Sequence, residues 1–208
     1  MDSATKLPRS LHRIAAAAVG VYVLVHLANH LAALGGIGAH IAFMQAVRRV
    51  TRVPALEALM LAAIAVQAAT GLLLLRRRSP RRMQFDLLQA LSGAYLAFFL
   101  LVHVVSVLFG RAVLGLDTNF YFAAAGLQVW PYPLFFVPYY GLAVAALFTH
   151  LACALRRRLP LAMPLAARDR SAWAGIAAGI VLAGVIVAAF SGMFYRIELP
   201  AEYLATFH

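Results

Sequence analysis

Five runs of about 20 mainly apolar residues, joined by short arginine-rich stretches, leave this chain little choice of fold. Such a run, wound as a helix rising about 1.5 Å per residue, matches a hydrocarbon core of roughly 30 Å. Inside lipid every backbone N–H and C=O must find its partner within the chain, and a helix does this alone. We place the spans at about 14–34, 54–75, 86–109, 134–155 and 172–194. The chain is 64% hydrophobic and 12% charged, against roughly 45–50% apolar residues in soluble domains. The expected fold is therefore all-α: an integral membrane five-helix bundle forming a single domain over 1–208. The first run exceeds a signal-peptide core of about 7–15 residues and is read as a retained span.

The formal charge of +11 does not point to nucleic acid, because the arginines sit at the ends of the apolar runs. An odd number of spans puts the two ends of the chain on opposite faces. One face then collects Lys6, Arg9, Arg13, the Arg76–Arg82 run, Arg156, Arg157, Arg158, Arg168 and Arg170. The other keeps Arg48, Arg49, Arg52, Arg111 and Arg196. Basic residues favour the cytoplasmic side, so the N-terminus is expected in the cytoplasm, in a membrane such as the bacterial inner membrane. Cys153 is the sole cysteine, which excludes an intrachain disulfide, a dithiol motif and an iron–sulfur ligand set.

Between spans one and two, Ile41, Met44, Val47 and Val50 recur at helical spacing after Gly35, Gly36 and Gly38. This predicts a short interfacial amphipathic helix. Pro54 suits the first turn of span two. In the longer connection after span three, Tyr121, Trp130, Tyr132 and Tyr139 fit an interfacial aromatic belt.

The polar residues inside the spans carry the chemistry. An imidazole in lipid needs a partner, a metal or a hydrogen-bonded neutral pose. At about 1.5 Å per residue, His26 lies roughly 12 Å and His103 roughly 10 Å below the outer ends of their spans. From the cytoplasmic ends, Gln67 is about 12 Å and His150 about 8 Å deep by the same rise. Two histidines at one depth on different helices suit the axial ligation of haem. They suit equally a hydrogen-bonded structural pair or a proton pathway. Gly20, Ala28, Gly71 and Gly93 offer room for a macrocycle, though small residues also serve plain helix contact. His30, one turn beyond His26 on the same face, is either an alternative ligand or a polar residue at the outer interface. His12, His40 and His208 read as structural or solvated.

Over roughly residues 10 to 160 the chain resembles the five-span, dihaem cytochrome b anchors of succinate dehydrogenase and fumarate reductase. The resemblance is carried by His26-Leu27-Ala28-Asn29 in span one, Glu57 and Gly71 in span two, Ser92-Gly93 with His103-Val104 in span three, and Phe148-Thr149-His150-Leu151-Ala152 in span four. It implies haem b between His26 and His103, and His150 as one ligand of a second haem nearer the cytoplasm. The partner position of His150 is Gln67, where the family pattern has histidine, and an amide is a poor ligand for haem iron. The inner pair therefore reads in three ways: Gln67 and His150 bonded to each other, a haem on His150, or a quinone headgroup between them. Ser10, His12 and Arg13 faintly resemble the quinone site of the smaller anchors, and Asp117, Asn119 and Tyr121 are candidates on the outer side.

The resemblance implies electron transfer between haem and the quinone pool, with substrate oxidation on flavoprotein and iron–sulfur subunits docked at the cytoplasmic face. Nothing in the chain reads as a flavin or nucleotide site. The rivals are a non-redox membrane protein that keeps the fold, such as a transporter, sensor or assembly factor, and a stand-alone haem or quinone protein.

Overall fold

A computed structural model describes residues 3–77 and 84–207. The remainder of the arginine run (Arg78, Arg81 and Arg82) and His208 lie outside the described residues. Eight α-helices follow in order: α1 (Ser3–Ala32), α2 (Ile37–Thr51), α3 (Pro54–Arg76), α4 (Gln84–Ala112), α5 (Phe120–Gln128), α6 (Pro133–Arg156), α7 (Leu165–Phe190) and α8 (Ala201–Leu204). No strand occurs among the described residues. Five of the helices, α1, α3, α4, α6 and α7, are long and apolar enough to cross a membrane. Val21, Leu24, Leu59, Leu101, Ile180 and Val181 lie exposed on them, an apolar exterior suited to lipid rather than water.

The helix ends follow local chemistry. Pro54 and Pro133 occupy first-turn positions of α3 and α6, where a missing N–H costs nothing. The Asn119 side chain accepts the Tyr121 N–H at 2.9 Å and caps α5. Gly36 joins a 3₁₀ turn to α2 with φ +98°, a conformation open to glycine. Two spans start earlier than hydropathy suggests, α1 at Ser3 and α7 at Leu165. Hydropathy marks only the apolar part of each helix, and the backbone hydrogen bonding continues through the flanking charged residues. Span five ends at Phe190 rather than near 194 because Gly192 turns the chain with φ +78°.

α1 packs on α3, α3 on α4, α4 on α6 and α6 on α7. α6 and α7 approach most closely because Gly179 and Gly175 face Phe148 and Ala152, the small-residue contact expected of helices in lipid. α1 makes no comparable contact with α6. The apolar core lies at the end of the bundle where α1 finishes: Phe120 of α5 stacks on Phe190 of α7 at 4.5 Å, with Leu27, Ala33, Leu127 and Ile186 around them. α5 is thus a buried helix within what the sequence reads as a connection. Tyr139 of α6 is buried in the bundle, while Trp130 is exposed.

Ion pairs tie this same end together. Arg111 at the end of α4 pairs with Glu57 at the start of α3. Arg48 of α2 reaches Asp117 at 2.6 Å and the Thr118 carbonyl at 2.9 Å. Tyr203 of α8 donates to the Asp117 carbonyl at 2.8 Å, and Tyr195 to that of Ala33 at 2.8 Å. Asp117 and Asn119 therefore have structural employment, as ion-pair partner and helix cap.

Candidate functional site

Between α1, α3, α4 and α6 runs a cavity of about 2600 Å³. Pockets for one small ligand are usually about 300–1,000 Å³, so this space exceeds a single such site. It reaches the lipid-facing surface, since exposed side chains such as Leu24 and Leu59 belong to its wall. His12, His26, His30, His40, His103 and His150 all line it. These are all the histidines within the described residues, and they fall into two groups.

The outer group holds four imidazoles. His26 of α1 and His103 of α4, predicted to share a depth, lie with ring centres 6.1 Å apart and planes at 65°. An aromatic ring one turn earlier stacks on each: Tyr22 on His26 at 5.7 Å, Phe99 on His103 at 5.0 Å. Phe99 is backed in turn by Tyr139 of α6 at 4.8 Å. The spacing i, i+4 puts each aromatic ring over the next turn, and the pairing fixes both histidine rotamers.

His30 turns into the cavity beside His26. Its Nε2 lies 3.1 Å from Nε2 of His26, so one ring donates and the other accepts. It also stacks on His40 at 5.7 Å and meets Phe190 edge-on. Of the two readings of His40, structural or solvated, the structure takes the first: it is only 2% exposed and accepts the Asn29 amide N–H at 3.1 Å. Burial first, then the neighbouring His26 and Arg48, pull its pKa down to about 4. The 3₁₀ turn and Gly36 before α2 fold the chain back, which brings His40 against Asn29 and His30 near the end of α1.

The inner group differs from the sequence reading. Gln67 and His150 do not bond to each other. Gln67 donates its amide N–H to Nε2 of His12 at 3.3 Å, and His150 Nδ1 faces the Gln89 carbonyl at 3.2 Å. His12, expected near the interface, is half-buried and turned inward. Ser10, two residues before it, is exposed on the opposite side of α1, which separates the Ser10–His12–Arg13 cluster. Gly71 and Gly93 sit against the rings of His12 and His150, where a Cβ would come within 3.3 Å and 3.0 Å of their Cε1 atoms.

A sequence signal for His12 does exist. It precedes His26 by 14 residues, about four helical turns, so both imidazoles leave one face of α1 about 21 Å apart along the axis. Hydropathy hides this because His12 stands in a basic, polar start.

Among the described residues no three or more His, Cys, Asp or Glu side chains converge on a metal ion. Arginines line both ends of the cavity: Arg9, Arg13, Arg157 and Arg158 at one, Arg48, Arg52 and Arg111 at the other. Arg48, Arg52 and Arg111 are paired with Asp117 and Glu57, so the guanidinium groups suited to a ligand's carboxylates are those of the Arg9–Arg13–Arg158 end. Comparison of the chain with family models, curated proteins and solved structures finds no match.

Proposed function

We propose that the protein is a membrane-embedded b-type cytochrome that exchanges electrons with quinone. The supporting observation is the meeting of His26 and His103, from helices far apart in sequence, with ring centres 6.1 Å apart in the wall of a large apolar cavity. His26 and His103 would supply the axial nitrogens, and bound haem would supply one-electron chemistry. Tyr22 and Phe99 hold the two rings in place. His30 shares a proton with His26 across a 3.1 Å contact, which biases which ring nitrogen keeps a lone pair. The surrounding leucines and valines exclude water, lowering the local dielectric.

In the same reading the N-terminus is cytoplasmic, α2 lies along the outer interface, and the membrane is a bacterial inner membrane. The arginine-rich end receives soluble flavoprotein and iron–sulfur subunits of a succinate dehydrogenase or fumarate reductase type, and the cavity's lipid-side opening admits quinone. Arg9, Arg13 and Arg158 supply the positive face such docking needs.

Protein purified from haem-replete cells is expected to show a reducible low-spin b-type spectrum. His26→Ala and His103→Ala should each remove a bis-imidazole signal. A colourless preparation would overturn the reading. Recovery of flavin and iron–sulfur subunits after gentle solubilisation tests the anchor role separately.

A further inference from the structure

We infer that the inner end of the cavity is a second haem site whose axial pair is His12 of α1 and His150 of α6, with His12 standing in for the imidazole that the Gln67 position lacks. The inference rests on the haem reading of the outer group.

Hydrogen-bond accounting fixes which nitrogen of each ring carries the proton, and a ligand on His12 Nε2 would have to displace the Gln67 amide. Thr70 donates its only hydroxyl proton to the Val66 carbonyl at 2.6 Å, so toward His12 Nδ1, 3.1 Å away, its oxygen accepts. His12 Nδ1 therefore carries the ring proton, and Nε2 keeps its lone pair, steadied by the Gln67 amide. His150 Nδ1 likewise faces a carbonyl, that of Gln89, and its Nε2 is left as the lone-pair nitrogen. A ligating histidine commonly donates its other N–H to a carbonyl or similar acceptor, which orients the ring and raises its basicity. Both rings meet that condition before any ligand arrives.

The rings come from different helices, α1 and α6, whose mutual contact is slight beside those of α1 with α3 and α6 with α7. Both border the same cavity. Gly71 and Gly93 leave the space that larger residues would take from these rings. Arg9, Arg13 and Arg158 line its mouth. They favour an occupant with carboxylates, such as haem with its propionates, over an uncharged quinol. The 14-residue step from His12 to His26 stacks the two sites along the bundle without overlap.

The test is haem per chain, by pyridine haemochrome, together with low-spin signals by electron paramagnetic resonance, on full-length protein from haem-replete cells. Wild type should hold two haems and show two low-spin signals. His12→Ala and His150→Ala should each halve the haem and leave the signal that depends on His103. His12→Met should keep two haems while raising the potential of the inner one alone, since thioether–imidazole ligation raises it. If His12→Ala also loses the outer signal, the His12→Met potential decides: a shift confined to one haem supports the pair, and no shift overturns it. One haem in wild type, abolished by His103→Ala, would sink the inner site and leave the outer reading standing. Two haems untouched by His12→Ala, or quinone bound there instead, would also overturn it. No haem at all would remove both.

Discussion

At the scale of single residues, the outer group sets a competition between adjacent imidazoles. His26 is within ring reach of His103, yet its Nε2 is the atom hydrogen-bonded to His30. If His26 is the axial ligand, His30→Leu should keep haem content and low-spin character while shifting the potential, because only a neighbouring hydrogen bond is lost. If His30 is the ligand, the same variant loses that signal, and electron paramagnetic resonance separates the cases. His40 makes a different prediction. Its folded pKa of about 4 lies below the ordinary 6.5, so the unfolded chain binds a proton that the folded chain refuses between those values. His40 therefore adds to stability above pH 6.5, and this is lost as pH falls from 6.5 toward 4, by up to about 3 kcal/mol. The unfolding midpoint of His40→Asn in detergent should fall less than that of wild type between pH 7 and pH 4.5. Equal falls would show that His40 is not held neutral.

At the scale of elements, the close α6–α7 contact depends on Gly179. A Cβ there would fall on Cβ and Cγ of Phe148, atoms too near the backbone to swing away. Gly179→Ala should destabilise by about 1–3 kcal/mol, as overpacking does. Gly184, whose Cβ would meet nothing, should tolerate alanine, and unfolding midpoints in micelles compare the two. The five spans were legible in the sequence because hydropathy over about 20 residues is a strong signal. α5 was not, since nine residues give little periodicity, and its Asn119 cap reads alone as a turn residue. His26 and His103 were legible because depth is a one-dimensional count along each helix. The pairing of Gln67 with His12 was not, because the basic residues beside His12 argue for solvent while helix phase turns it inward. His40 escaped for a related reason: its burial depends on the chain reversal at Gly36, which no count along one helix contains.

At the scale of the whole molecule, the distribution of charge asks for a definite sidedness. Arg156, Arg157, Arg168 and Arg170 gather at the joint between α6 and α7, whereas Arg196 stands alone beyond α7. Short basic joints stay in the cytoplasm, so the α6–α7 joint should be cytoplasmic and the stretch after α7 external. Two exposed methionines mark these places, Met163 at 37% and Met193 at 75% relative exposure. Cys153 is buried and should stay silent toward thiol reagents. A membrane-impermeant maleimide should then label Met193→Cys in spheroplasts, and Met163→Cys only after the membrane is opened. The opposite pattern would place the arginine-rich end outside. That would deny cytoplasmic dehydrogenase subunits their docking face, while the pairing of imidazoles within the bundle would be untouched, because it depends on helix phase and packing rather than on which way the bundle was inserted.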